Sequence, residues 1–412
     1  MKRLVDVLAP GLRVWAPAMS NESTLLHQEL LADPERARGV TFSSVQFPGI
    51  DRTDYLAIHP EARQLGWFMT PALRKGIAQG RADVIGLDYV GIARELREGP
   101  RFDVAIAQLT PPDAHGWCAP GLSCDFVPLV WRRAGRRVAH INPALPRLDS
   151  SFRVHISELD HIVEAEAALI DFADPVLGDT ERAIGRHVAT LVRDGDTLQF
   201  GIGGVPLSLG QALGNHRRLR FHGGMLPSAL RTMWDAGAMD RDARMLTGVV
   251  LGDGPLREFA AALPHLYLAD VGQTHDPERV AATERFIAVN GGVEVDLLGQ
   301  VNAERTGGVI LAGSGGLPCY CQGAQRSPGG RLVTCLPSTA RGGSVSRIVP
   351  AITDQALVTV PRYLTDAVVT EHGVAQVRGL GLNARAEALI AIADPAHRPA
   401  LVEAWAQMRK KL

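Results

Sequence analysis

The sequence predicts an α/β protein made of two similar open-sheet α/β domains, and three observations carry that prediction. Strand-like and helix-like segments alternate along most of the chain, the signature of parallel or mixed sheets covered by helices on both faces. Its 412 residues exceed the length at which a single core stops growing. A faint internal echo also relates Leu8 to Ser20 ("LAPGLRVWAPAMS") to Val192 to Gly204 ("VRDGDTLQFGIGG"). Each segment places a turn glycine before a strand that ends in small residues.

In chain order, "ADVIGLDYV" (82–90), "FDVAIAQL" (102–109) and "RVAHINP" (137–143) read as strands of the first domain. "DTLQFGIGG" (196–204), "GGVILAG" (307–313) and "QALVTV" (355–360) read as strands of the second. "DHIVEAEAALIDFA" (160–173) and "NARAEALIAIA" (383–393) carry helical patterns, with Asn383 placed as an N-cap. The echo puts the domain boundary within "FADPVLGDTERAIGRHV" (172–188), giving domains at 1–180 and 181–412. No low-complexity linker separates them.

Composition narrows the function classes. The chain is 46% hydrophobic and 21% charged, an ordinary globular balance, with a net charge of -1 that argues against nucleic acid as a bulk partner. Lysine occurs only at positions 2, 75, 410 and 411, so arginine supplies nearly all the positive charge. No apolar run approaches the ~18 residues of a membrane span, and the opening "MKRLVDVLAPGLRVW" lacks a signal-peptide core. The five cysteines (Cys118, Cys124, Cys319, Cys321, Cys335) are odd in number and lack zinc spacing. They read as reduced thiols of a cytoplasmic protein that binds no metal.

Two glycine loops carry the chemistry. In "QFGIGGVPLSLGQAL" (199–213), Gly201, Gly203 and Gly204 follow a strand, and Pro206 stands close to a helix start. Free amides at such a start hold a phosphate or a developing oxyanion. The third glycine of the dinucleotide fingerprint is missing, so a plain tight turn fits the pattern equally. "ILAGSGGLPCYCQGA" (310–324) repeats the theme with Gly313, Gly315 and Gly316. Two such loops at strand ends favour a cleft of amide donors for an anionic or carbonyl-bearing ligand.

Several blocks, in one consistent order, resemble the acetyl-CoA hydrolase/transferase family, which includes 4-hydroxybutyrate and butyryl CoA-transferases. They are "LTPPDAHGWCAPGLSCD" (109–125), "INPALPRL" (141–148), "FGIGGVP" (200–206), "THDPERV" (274–280), "IAVNGGVEVDLLGQVNAE" (287–304), "GSGG" (313–316), "PSTARGGSVSRIVP" (337–350) and "VVTEHGVAQVRG" (368–379). The resemblance implies a CoA-transferase-like homodimer of such chains. Its substrate would be a small-molecule acyl-CoA, with coenzyme A contacted mainly from the C-terminal half and neither membrane nor nucleic acid as partner. It also implies covalent catalysis, in which a glutamate carboxylate attacks the thioester and then carries CoA as a glutamyl thioester.

At that position the family pattern is similar to His-Thr-Glu-Met. Here the residues are His222, Gly223, Gly224 and Met225, so Gly224 stands where the nucleophile would project. No Asp or Glu occurs between Asp196 and Asp235. The second loop departs too, reading Gly315, Gly316, Leu317, Pro318, Cys319 and Tyr320 where the family commonly has Gly-Gly-Gln-Val-Asp-Phe.

The residues left to consider are few. His222 suits a general base for water but equally a structural place beside the loop. Cys319 is an acyl acceptor if its thiol ionises, and otherwise a small buried hydrophobe. Asp113 and His115 look like acyl-pocket residues by the resemblance, although Asp113 also suits a turn cap. Arg341 lies where relatives often carry a lysine for a CoA phosphate. Glu294, Asp296 and Glu371 belong to blocks expected to orient loops or bind substrate. The leading expectation is a reaction on a bound thioester without a glutamyl intermediate, hydrolysis being the simplest. The alternatives are a transferase with a displaced carboxylate and a non-catalytic CoA-binding or partner subunit.

Overall fold

The first sheet has seven strands in the order Ala82–Val84, Arg63–Gly66, Thr41–Ser43, Arg13–Trp15, Val104–Leu109, Arg136–Ile141, His161–Glu164. Every neighbouring pair is parallel in this computed structural model, which describes residues 2–353 and 356–412. The chain starts in mid-sheet at Arg13–Trp15, steps outward over three strands, then returns to the other side of its first strand at Val104–Leu109. Val104–Leu109 is buried at every position, as a strand covered on both faces must be. Helices start at side-chain caps: Ser23, Thr70 and Asp88 accept from the amides of Leu26, Leu73 and Gly91. The core gathers Val14, Phe42, Ile106 and Val138, with Phe42 and Tyr55 stacked at 4.4 Å.

The second sheet has six strands in the order Arg220–Phe221, Thr197–Phe200, Phe286–Gly291, Arg331–Cys335, Ala367–Thr370, Gly373–Gln376. All pairs are parallel except the closing hairpin between the last two. Its first strand, Thr197–Phe200, also sits inside the sheet, with the next strand on one side and the later Phe286–Gly291 on the other. The segments of the internal echo are therefore the first strands of two sheets with the same reversal of strand order. The core of this unit is centred on Phe286, Ala288, Leu332, Val368, Leu389 and Trp405.

The contacts divide the chain less simply than one cut at 180/181. One unit holds 1–173, 224–226 and 244–274; the other holds 174–223, 227–243 and 275–412. The two inserted stretches join the first unit because their strands pair within it. Met225–Leu226 runs parallel to Val249–Val250, Ser123 bridges Val249, and Asp125 bridges Asp270.

Three local expectations fail for identifiable reasons. "DHIVEAEAALIDFA" forms the edge strand His161–Glu164 and then irregular chain, because pairing with Val138–Ile141 overrides its helical periodicity. "GGVILAG" supplies only the exposed two-residue strand Val309–Ile310 of a small hairpin. "QALVTV" begins at Gln355, outside the described residues; the rest is irregular apart from a bridge from Val360 to Val301. The helix expected at 383–393 spans Leu382–Ala391 with Gly381 at its N-cap, two residues earlier than Asn383 suggests. Asn383 instead accepts from the Trp405 indole.

Candidate functional site

In an open α/β sheet, ligands sit beyond the carboxyl ends of strands where the strand order reverses. Each sheet here has one such point. In the second unit it lies between Thr197–Phe200 and Phe286–Gly291, and the loop leaving Thr197–Phe200 holds Gly201, Gly203 and Gly204. Gly203 is at φ +114° and ψ -177°, directly before the nine-residue helix Gly204–Ala212. That conformation is essentially restricted to glycine. A Cβ on Gly203 or Gly201 would meet nothing within 4 Å, so open space faces the loop. Pro206, in the first turn, lacks an amide, and the first amides of the helix have no intrahelical acceptor.

Packing links the second glycine loop to His222. Gly315 adopts φ +59° and Gly316 caps the crossover helix Leu317–Arg326. The loop rests on His275: a Cβ on Gly316 would come within 2.4 Å of that imidazole. His275 packs on Tyr320 at 4.8 Å, Tyr320 stacks with Phe286 at 6.1 Å, and Phe286 meets the His222 ring edge-on at 5.6 Å. His222 follows the strand Arg220–Phe221 and donates its amide to Leu198. Gly201, Gly203, Gly204, Gly315, Gly316, His222 and Gly223 thus share one unit and one packed framework, with Gly313 leading into the second loop. His275, which sequence reading missed, is its hub. Its only signal was its place in "THDPERV".

Burial, aided by the nearby His222, pushes the His275 pKa down to about 3. The unfolded chain therefore binds a proton below pH 6.5 that the folded chain refuses. The stability from neutral His275 is complete above pH 6.5 and is lost as pH falls toward 3. We expect a loss of about 1.4 kcal/mol per pH unit below 6.5 from this group. His275→Phe should remove that slope, measured as the wild-type minus variant difference in chemical denaturation between pH 4 and 7. Parallel curves would refute it.

The chain passes from the second unit to the first between Gly223 and Gly224. Gly223 is glycine for a packing reason, since a Cβ there would lie 2.9 Å from the Phe221 ring. The Gly224 carbonyl accepts from the amides of both Gly248 and Val249 at 3.0 Å.

The remaining candidates fall elsewhere. Cys319 is fully buried within the first turn of Leu317–Arg326, in the position of a core thiol. Arg341 is exposed at φ +50° on the turn of the hairpin formed by Thr339–Ala340 and Val345–Ser346. Asp113 accepts from the amides of His115 and Trp117 and pairs with Arg153 at 2.5 Å, which is the turn-capping arrangement. Those bonds and the nearby guanidinium groups hold its pKa below the usual range. His115 is exposed in the same turn. Glu371 accepts from the Ser338 amide and hydroxyl, Asp296 from the amides of Leu298 and Gln300, and Glu294 from Asn302, so all three order loops.

In the first unit the reversal point carries a cavity of about 20 Å³, room for roughly one water. It is lined by Trp15, Asn21, Gln108, Ser123, Asp125 and Phe126, among others. Asp125 was not singled out by the sequence, although a carboxylate inside the apolar run "SCDFVPLVW" was the available signal. Among the described residues no group of three or more His, Cys, Asp or Glu is arranged for a metal.

Two reversal points with glycine amides at one of them define an α/β protein suited to an anionic or carbonyl-bearing ligand, and comparison with known proteins makes that specific. The N-terminal domain of the acetyl-CoA hydrolase/transferase family matches residues 15–174 and the C-terminal domain matches 252–405. The chain belongs to this family. It is 34% identical to the 4-hydroxybutyrate coenzyme A transferase of Clostridium kluyveri over 81% of this chain and 80% of that one. It is 33% identical to the succinyl-CoA:cyclohexane-1-carboxylate CoA transferase of Geobacter metallireducens, over 85% and 82%. Among solved structures, RipA from Yersinia pestis superposes with a TM-score of 0.89 at 26% identity, covering 98% of this chain and 96% of that one.

Proposed function

We propose that this enzyme acts on an acyl-CoA thioester without passing through a glutamyl-CoA intermediate, releasing CoA by hydrolysis. The observation that carries the reading is Gly224: His222 to Leu226 offers no carboxylate, while the family's two domains match and the glycines Gly201, Gly203, Gly204, Gly313, Gly315 and Gly316 are present. An acylated carboxylate stores enough energy for a thiolate to regenerate a thioester; without it, the acyl group passes to water. The amides beside Gly203 and Gly315 would receive the oxyanion, and His222 would hold the Gly223–Gly224 backbone in place. CoA itself would lie along Gly201, Gly203, Gly204, Gly313, Gly315 and Gly316.

On the family resemblance, the proposal extends to a working form that is a cytoplasmic homodimer. All five cysteines are free and buried, and among the described residues no helix is long and apolar enough to cross a membrane. Light scattering on the purified chain should give twice the 44.2 kDa chain mass.

The test uses acetyl-, propionyl- and butyryl-CoA, with and without added acetate, following free thiol and acyl products by mass spectrometry. Thiol release independent of acetate supports the reading. Acetate-dependent formation of acetyl-CoA from butyryl-CoA overturns it in favour of transfer, and no turnover at all in favour of a binding subunit.

A further inference from the structure

Asp125 is the least accommodated acid in the first unit. Its backbone stands at φ +35°, unusual for any residue with a side chain. The surroundings enforce it: the Asp125 carbonyl accepts from Val271, the neighbouring Cys124 amide donates to Gly248, and Asp125 bridges Asp270. The residue is only 6% exposed. Among the described residues no hydrogen-bond donor reaches its carboxylate. Asp270 beside it is fully engaged, accepting from the Ser151 hydroxyl, the Gly272 amide and the Gln273 amide group. Neither carboxylate oxygen is a fully buried orphan, so the slight exposure that remains lets water take the place of a protein donor.

Asp125 lines the cavity at the reversal point of the first sheet, between residues following Arg13–Trp15 and the end of Val104–Leu109. Asn21 and Gln108 provide the polar lining, Trp15 and Phe126 the apolar one. Gly248 completes the geometry. A Cβ there would sit 3.0 Å from the Gly224 carbonyl and 3.5 Å from Asp125 Oδ1, so the missing side chain leaves room between the two. The carboxyl therefore borders the very backbone where the family's nucleophile would stand.

We propose that Asp125 is the proton-transfer residue of the thioester reaction, acting on a water held in this cavity. The step balances without any further reactant. A lone pair of the water oxygen forms a bond to the acyl carbon as the water proton passes to the Asp125 carboxylate. The tetrahedral species then breaks its C–S bond, and the proton on Asp125 goes to the departing CoA sulfur, leaving a carboxylic acid and free CoA thiol. Burial and the neighbouring Asp270 push the Asp125 pKa up to about 8, within range for a base working near neutral pH. Of the other titratable groups, the neighbouring Cys124 thiol is itself pushed far up by burial, and the Arg97 guanidinium, like the Asp270 carboxylate, borders Gly272.

This assignment rests on the hydrolytic reading above. With the full chain and acetyl- or butyryl-CoA, Asp125→Asn should lower kcat about 100-fold or more while leaving KM and the thermal midpoint unchanged. The wild-type rate should climb with pH along a limb centred near 8; that limb should vanish in Asp125→Asn. In Asp270→Asn it should move to lower pH, because a neighbouring negative charge has gone. An Asp125→Asn enzyme with kcat within about fivefold of wild type, or with the limb intact, overturns the assignment while leaving hydrolysis standing. A wild type that hydrolyses none of these thioesters removes both.

Discussion

Gly203→Ala should cost the protein about 1–3 kcal/mol of stability and most of its affinity for CoA. The reason is conformational. At φ +114° and ψ -177° the residue occupies a region that an alanine enters only under strain. No atom lies within 4 Å of the added methyl, so steric conflict contributes nothing. The chain relieves the strain by turning the loop, and turning the loop re-aims the first amides of Gly204–Ala212. If between half and all of that strain falls on the bound state, affinity drops by a factor of about 2–140, at 1.4 kcal/mol per tenfold. Isothermal titration with CoA and denaturant unfolding read the two effects separately. A variant that unfolds like wild type and binds CoA equally well would show that this backbone is neither strained nor in contact with ligand. Gly204 provides the contrast, since a Cβ there meets the Glu181 side chain at 2.8 Å, a flexible neighbour able to move.

Much of the fold was legible because it depends on local patterns. The runs "FDVAIAQL" and "RVAHINP" are buried parallel strands, and the glycine turn of "QFGIGGVP" sits where a strand hands over to a helix. The internal echo marked the first strand of each sheet because both units repeat one topology. Where pairing partners decide, local pattern misled: His161–Glu164 is a strand only because Arg136–Ile141 lies beside it. The boundary was blurred for a related reason, since residues 224–226 and 244–274 pack with a sheet built from a distant part of the chain. The candidate site divides in the same way. Glycine loops announce themselves through composition. Asp125 and His275 acquire their character from burial and from one neighbour each, Asp270 and His222, and neither spacing nor residue type conveys that.

Gly224→Glu should turn the enzyme into a carrier of CoA. Of the paired glycines, Gly223 is compelled by packing, through the Phe221 ring. Gly224 is not among the glycines held at positive φ, so a side chain there incurs no left-handed strain. Its carbonyl is pinned by the amides of Gly248 and Val249, which keeps the backbone still while the new carboxylate projects. That carboxylate attacks the thioester to give a mixed anhydride and CoA thiolate, and the thiolate returns to the glutamyl carbonyl, releasing the acyl group as a free acid. Butyryl-CoA plus acetate should then yield acetyl-CoA at least about 100-fold faster than with wild type, a change of the size that nucleophilic and proton-transfer groups supply. Borohydride should trap the glutamyl thioester on residue 224 by mass spectrometry. The same treatment of wild type should leave every Asp and Glu unmodified; an adduct on any of them would mean that the nucleophile had been displaced rather than lost. Combining Gly224→Glu with Asp125→Asn separates the two chemistries further. Hydrolysis should fall with Asp125, whereas the first acyl transfer, which moves no proton, should survive.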